Sequence, residues 1–432
     1  MTTLSRRKFI RLAGAAGASS VLASLGWGLS GCQKSAKKAR VVIVGGGFGG
    51  ATCAKYIRRW DPSIEVTLIE RMTTFSTCPF SNAVIGGIRN LNDITHNYNA
   101  LRQKYGVNVV HGNVIEVDPV KRRVAMEGGM AHDYDRLVIS PGIDFRWDAI
   151  EGYDEATSAT LPHAWKAGTQ TQTLRDQLVS MEDGGTVIIV APPNPFRCPP
   201  GPYERASLIA HYLKENKPKS KILILDAKEK FSKQPLFVQG WEKLYPGMIE
   251  WVGSNKGGEI VRVDAQAMTV YDKFDTAHKG NVINIIPPQK AASIAHTMGL
   301  VNNDGWAPVN QTTFESTQHK DIHIIGDASI AGKMPKSGFA ANSQGKVCAA
   351  AVVSAINNKT MPPPSYVNTC YSLVSPDYGI SVAAVYNIQN GTISTIEGAG
   401  GVSPADADDV FRKKEAEYAV GWYQSITSDI FS

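Results

Sequence analysis

Six cysteines stand at positions 32, 53, 78, 198, 348 and 370. A thiolate is a nucleophile and a soft metal ligand, and a pair of thiols can exchange as a disulfide. No two of the six form a C-x-x-C pair, and no C-x-x-C-H occurs, so the chain has no haem-attachment signature of its own. No His/Cys group has zinc spacing, and no metal site is expected. The nine histidines are scattered, with no triad arrangement. Thiol–disulfide chemistry remains open, and Cys198 has the most unusual setting for it. In "VIIVAPPNPFRCPPGPYERAS" (187–207), Pro192, Pro193, Pro195, Pro199 and Pro200 surround that one thiol, just before Gly201-Pro202 opens a helix. Glu204, soon after Pro202, can manage protons near Cys198 or simply complement the helix dipole.

The elements that must position these residues begin with "ARVVIVGGGFGGATCAKYIRRWDPSIEVTLIER" (39–71). An apolar strand at Val41–Val44 runs into Gly45-x-Gly47-x-x-Gly50, then a helix to Trp60, then a second strand at 64–69. Glu70 follows Gly50 by 20 residues. Glycines here let the backbone approach a pyrophosphate, the helix N-terminus meets its charge, and Glu70 can accept from a ribose hydroxyl. "TVIIV", the proline loop, "YERASLIAHYLKE" and "KILILDA" repeat the strand–loop–helix–strand pattern. A phosphate nest, however, needs free backbone N–H groups, and proline has none. NAD(P)H is therefore not expected on this second unit, whose loop instead frames a thiol.

"YDRLVISPGI" (134–143) and "STQHKDIHIIGDAS" (316–329) resemble standard pieces of glutathione-reductase-type flavoproteins. That resemblance implies FAD on the first unit, with Gly326-Asp327 at the ribityl chain. It also implies that the helix of "SGFAANSQGKVCAAAVVSAI" (337–356) points its N-terminus at the ring system. The expected fold is α/β, with two Rossmann-like dinucleotide-binding-type domains and a C-terminal α+β domain. The FAD domain is discontinuous, 39–150 and 292–356. The second domain, 151–291, lacks an NAD motif, and the C-terminal domain covers 357–432, beyond the proline-rich break "NKTMPPPSY". It carries "GISVAAVYNI" (379–388) as a strand and ends in a helix. Cys53 and Cys348 read as small core residues, and Trp422 and Tyr423 as core of the last helix.

"TCPFSNAVIGG", "RCPPGPYERAS", "MPKSGFAANSQGKV" and "YVNTCYSL" resemble the flavoprotein subunit of flavocytochrome c sulfide dehydrogenase, a likeness running from the glycine motif to the end of the chain. Sulfide:quinone oxidoreductases are more distantly similar. The resemblance implies that Cys78 is joined by a thioether to FAD, and that Cys198 and Cys370 form a redox-active disulfide beside it. Pro79-Phe80 after Cys78 stiffens that loop. The expected substrate is sulfide or polysulfide. Hydrosulfide attacks the bridge, a persulfide forms on Cys198, and the Cys370 thiolate passes two electrons to the flavin. Lys336, in "MPKSG", is expected to stabilise the anionic reduced flavin. Since the chain has no haem site, a c-type cytochrome subunit takes the electrons. Two other readings are membrane quinone as acceptor and a non-catalytic flavin-bearing subunit that binds sulfur carriers.

The stretch 1–31 resembles a twin-arginine export signal, with Arg6-Arg7-Lys8 before an Ala/Gly/Leu-rich region. It implies a periplasmic protein. Leu29-Ser30-Gly31-Cys32 resembles a lipoprotein processing box, so Cys32 is a candidate lipid anchor. Four of the six net positive charges lie in this leader, so the body is close to neutral and offers no argument for nucleic acid. Arg412, Lys413, Lys414, Glu415 and Glu417 make the final helix too charged to seat well on a membrane.

Overall fold

In the computed structural model, residues 39–432 are described. The leader and Cys32 lie outside the described residues. The first apolar run forms Arg40–Val44, the middle of a five-stranded parallel sheet. Its neighbours are Glu65–Glu70 on one side and Arg136–Ile139 on the other. Asn108–His111 closes one edge, and Ile322–Ile324, far along the chain, closes the other. These strands are apolar almost throughout because both faces are buried. The glycine-turn helix Phe48–Trp60 and the long helix Gly338–Ile356 pack against each other so closely that a Cβ on Gly345 would stand 2.6 Å from the Gly49 carbonyl oxygen. Cys53 and Cys348 are fully buried on these helices, as expected of core thiols.

A second parallel sheet has the order Ile249–Val252, Lys221–Asp226, Thr186–Ala191, Val282–Ile285. The proline loop leaves the carboxyl end of Thr186–Ala191 and enters the helix Gly201–Asn216. Ligands of open α/β sheets sit at that end of the strands, so both loops face the right way to share one site. The pair Ile143–Phe145 and Gln289–Ala291 links the two sheets' chain segments.

The C-terminal residues form three long antiparallel strands, Ser365–Ser375, Tyr378–Gln389 and Thr392–Val402, covered by the helix Asp409–Phe431. Two of the charges on that helix are buried. Arg412 donates to the Pro404 carbonyl at 2.7 Å. Glu415 accepts from the Ser381 and Ser403 hydroxyls, both at 2.6 Å. Charge at these positions braces the helix on the sheet; buried ions persist where such partners satisfy them. Among the described residues no helix is long and apolar enough to cross a membrane.

Candidate functional site

One cavity collects the chemistry-bearing residues. Its wall includes Gly47, Asp327, Cys78, Cys198, Cys370 and Glu204, drawn from all three sheet systems. The helices beginning at Phe48, Gly201 and Gly338 all bring their first turns to it. Three helix N-termini around one space favour anionic groups there.

The glycine turn is built for close approach. Gly45 sits at φ +98°, and a Cβ there would lie 2.2 Å from the Ser140 carbonyl oxygen. A Cβ on Gly50 would lie 1.9 Å from the Gly45 carbonyl oxygen, so helix and strand meet without a side chain between them. The Glu70 carboxylate accepts from the Gly46 N–H at 2.7 Å and the Met72 N–H at 3.0 Å. Glu70 is thus fixed beside the turn.

Gly326 turns at φ +75° and delivers Asp327 into the cavity wall. Oδ1 of Asp327 is buried without a partner, although buried polar atoms ordinarily have one. Burial holds this carboxyl above its ordinary range, against the nearby Arg197 and Lys336. A bare glycine turn, convergent helix N-termini and an orphaned buried carboxylate oxygen fit the pyrophosphate and ribityl hydroxyls of FAD.

Cys198 is held by its backbone. It adopts φ +58°, its N–H donates to the Lys336 carbonyl at 2.8 Å, and its carbonyl accepts from Gly201 N–H at 2.8 Å. A Cβ on Gly201 would stand 3.0 Å from the Cys198 sulfur and 2.6 Å from the Trp165 ring, so glycine makes room for the thiol over the helix start. The Arg197 N–H is also committed, to Gln289 Oε1 at 2.9 Å. The loop's remaining amides therefore form no phosphate nest. Cys370 lies mid-strand, opposite Val382. Cys78 follows the strand Thr74–Ser76, its sulfur 3.7 Å from the Trp165 carbonyl oxygen. Cys198 and Cys370 both line the cavity.

Burial pushes the Cys198 thiol far above its usual value, and Cys370, Cys78 and Glu204 push the same way while Arg197 opposes. Burial also raises Cys370, but Lys233 pulls it back. Lys233 stands just before the helix Gln234–Leu244, and its ammonium donates to the Cys370 carbonyl at 3.2 Å and Ser372 Oγ at 2.9 Å. Glu204 lies in the first turn of the helix Gly201–Asn216, half-buried on the cavity wall. It accepts from Leu373 N–H at 2.9 Å and Asn82 Nδ2 at 2.8 Å, and burial raises its carboxyl.

Two residues sit differently from where the sequence suggested. The Lys336 ammonium is absent from the cavity wall. It donates to the Asp327 carbonyl at 2.6 Å and the Ser329 carbonyl at 3.0 Å, and stands 3.7 Å over the Trp306 ring. It positions the Asp327 turn and, through its own carbonyl, Cys198. Burial lowers its pKa to about 8. Trp422 was expected in the core. It is half-buried on the cavity wall, its ring nearly parallel to Phe339 at 6.3 Å. Ala419 and Trp422, three apart, share the cavity-facing side of the helix. Tyr423 turns away as expected and bonds Thr77 Oγ1 at 2.8 Å.

Arg197, Arg205, Asn82, Lys233 and Trp165 were missed. Arg205 is fully buried and bonds Asn82, Asn284 and the carbonyls of His163 and Ala164. Its place next to Glu204 in a helix start was the available signal. Nothing local marked Lys233, whose partner is 137 residues away.

Three family models match: pyridine nucleotide-disulphide oxidoreductase over 39–190, the central part of the sulfide dehydrogenase (flavocytochrome c) flavoprotein chain over 171–287, and the flavocytochrome c sulphide dehydrogenase flavin-binding model over 362–431. A stretch of 45 residues is 73% identical to the sulfide dehydrogenase (flavocytochrome c) flavoprotein chain of Chlorobaculum thiosulfatiphilum, taking in 10% of this chain and 94% of that sequence. The mitochondrial sulfide:quinone oxidoreductase of Dictyostelium discoideum is 23% identical over 67% of this chain and 65% of its own length. The sulfide:quinone oxidoreductase structure from Aquifex aeolicus superposes with a TM-score of 0.68 at 18% identity, covering 91% of this chain and 92% of that one.

Proposed function

The chain belongs to the flavoprotein chains of flavocytochrome c sulfide dehydrogenase, FAD-dependent oxidoreductases, and from that premise we propose that it oxidises sulfide to sulfane sulfur and delivers the electrons to a c-type cytochrome subunit. The observation that carries this reading is the meeting of Cys78, Cys198 and Cys370 on the wall that also holds Gly47 and Asp327.

In the resting enzyme Cys198 and Cys370 are disulfide-bonded. Hydrosulfide attacks the Cys198 sulfur; the S–S bond breaks, Cys198 becomes a persulfide, and Cys370 leaves as a thiolate holding the electron pair. The Lys233 ammonium donates to the Cys370 carbonyl and favours negative charge there, which supports Cys370 as the leaving thiolate. Glu204, its proton held tightly by burial, is placed to trade a proton with the sulfur species. Gly45, Gly47, Gly50, Glu70, Gly326 and Asp327 would hold FAD and Cys78 would join it, and the bound group would supply a sink for an electron pair. A second sulfide or thiol removes the sulfane sulfur and leaves Cys198 a thiol; the Cys198–Cys370 bond re-forms as that pair gives up a proton and the two electrons that FAD would accept.

The leader sequence supports export to the periplasm, with Cys32 as the candidate lipid anchor. The acceptor is tested by steady-state assays of the purified chain with sulfide and either a c-type cytochrome or a short-chain quinone. Reduction of the cytochrome is expected; robust quinone turnover with no cytochrome reduction would assign the acceptor to quinone instead.

A further inference from the structure

Four buried polar atoms on the cavity wall have no partner: Arg197 Nε, Asp327 Oδ1, Trp165 Nε1 and Trp422 Nε1. Two of them belong to charged side chains, and these are neighbours, with Arg197 Nη1 4.0 Å from Asp327 Oδ2. The Arg197 side chain is only 17% exposed. Its Nη2 donates to the Trp165 carbonyl, which the Cys78 sulfur also approaches. Arg197 thus lies among the three groups assigned to the cofactor and its substrate: Asp327, Cys78 and, next in the chain, Cys198.

The other cations near the cavity are committed elsewhere. Arg205 spends its donors on four neutral acceptors. Lys336 is bound to two carbonyls and a ring, and Lys233 to Ser372 and the strand carbonyls. Of the facing acids, Glu204 is engaged by Leu373 and Asn82, and Asp327 is the one with an open oxygen. A buried guanidinium with an unused donor is costly unless a ligand answers it.

We propose that Arg197 is the charge partner of the bound flavin, favouring its reduced, more negative form, a part the sequence suggested for Lys336. A fixed cation in a water-poor cavity stabilises added negative charge more than it would in solvent. Its place beside Cys198 lets one side chain favour both the thiol pair's charge and the cofactor's. The inference rests on FAD in this cavity and not on sulfide as donor.

The test is a potentiometric titration of the purified full chain, without sulfide. Arg197→Gln should shift the two-electron reduction equilibrium at least tenfold toward oxidised flavin, a fall of about 30 mV. Arg197→Lys, which keeps the charge, should stay within about threefold of wild type, the span of ~15 mV. An unchanged potential in Arg197→Gln would overturn the proposal. So would a tenfold loss in Arg197→Lys, whether or not the Gln variant keeps its flavin. Failure of sulfide turnover with a normal Arg197 effect would instead count against the sulfide reading alone.

Discussion

Each thiol on the cavity wall has a different environment, and the environments separate their roles. Cys78 lies 3.7 Å from the Trp165 carbonyl oxygen on the cavity wall. With the proposed thioether there, acid-precipitated wild type should stay yellow, and Cys78→Ser should release its flavin to the supernatant; absorbance of the two fractions checks this. Glu204 gives a pH signature. Burial raises its folded-state value above the ordinary 4.5, so the folded chain holds that proton more tightly than the unfolded one. Its stabilising contribution is complete below the unfolded value and drains as pH rises through the folded one. Glu204→Gln should gain thermal stability relative to wild type as pH rises above the ordinary 4.5, followed by calorimetry at a series of rising pH values. A pH-independent difference would count against a buried carboxyl that ionises late. Cys198 and Cys370 were legible from short motifs. Arg197, Arg205 and Lys233 were not, because a charge reveals its purpose only through its partners, and here those come from distant segments.

At the scale of elements, the glycine turn was legible because its constraint is local. The strand Arg40–Val44, the helix Phe48–Trp60 and Glu70 fall where the motif puts them. Gly50→Ala would place a methyl against a backbone oxygen that cannot move, costing about 1–3 kcal/mol and lowering the flavin-to-protein ratio; denaturant melts and absorbance check both. Gly421 makes the contrast. It lies within the last helix, with no unusual φ and nothing within 4 Å of the place a methyl would take. Gly421→Ala should raise stability by up to about 1 kcal/mol with flavin content unchanged. The last helix was foreseen, but not which of its faces does what. Arg412 and Glu415 turn inward to Pro404, Ser381 and Ser403. Trp422 goes the other way, from expected core to cavity wall. Helical spacing gives the faces; only the three strands beneath decide which is inner.

For the whole molecule, the α/β class with a C-terminal α+β part was legible from the two strand–loop–helix–strand runs, and the matching folds agree. The cavity was not, since it exists only where three sheet systems meet. The proline loop shows why. By itself it reads as a nucleotide turn without glycine. In the fold its amides reach Gln289 and Lys336, and its cysteine reaches the wall shared with Cys370. The second unit keeps a dinucleotide-binding form while its loop serves the first unit's cavity. The central claim is that electrons from sulfide enter through the Cys198–Cys370 pair. Anaerobic stopped-flow mixing of sulfide with wild type and with Cys370→Ala, following flavin absorbance, tests it most directly. Rapid bleaching of wild type and a loss of at least about 100-fold in the variant, with flavin retained, is the predicted result. Equal bleaching rates in the two proteins would contradict it.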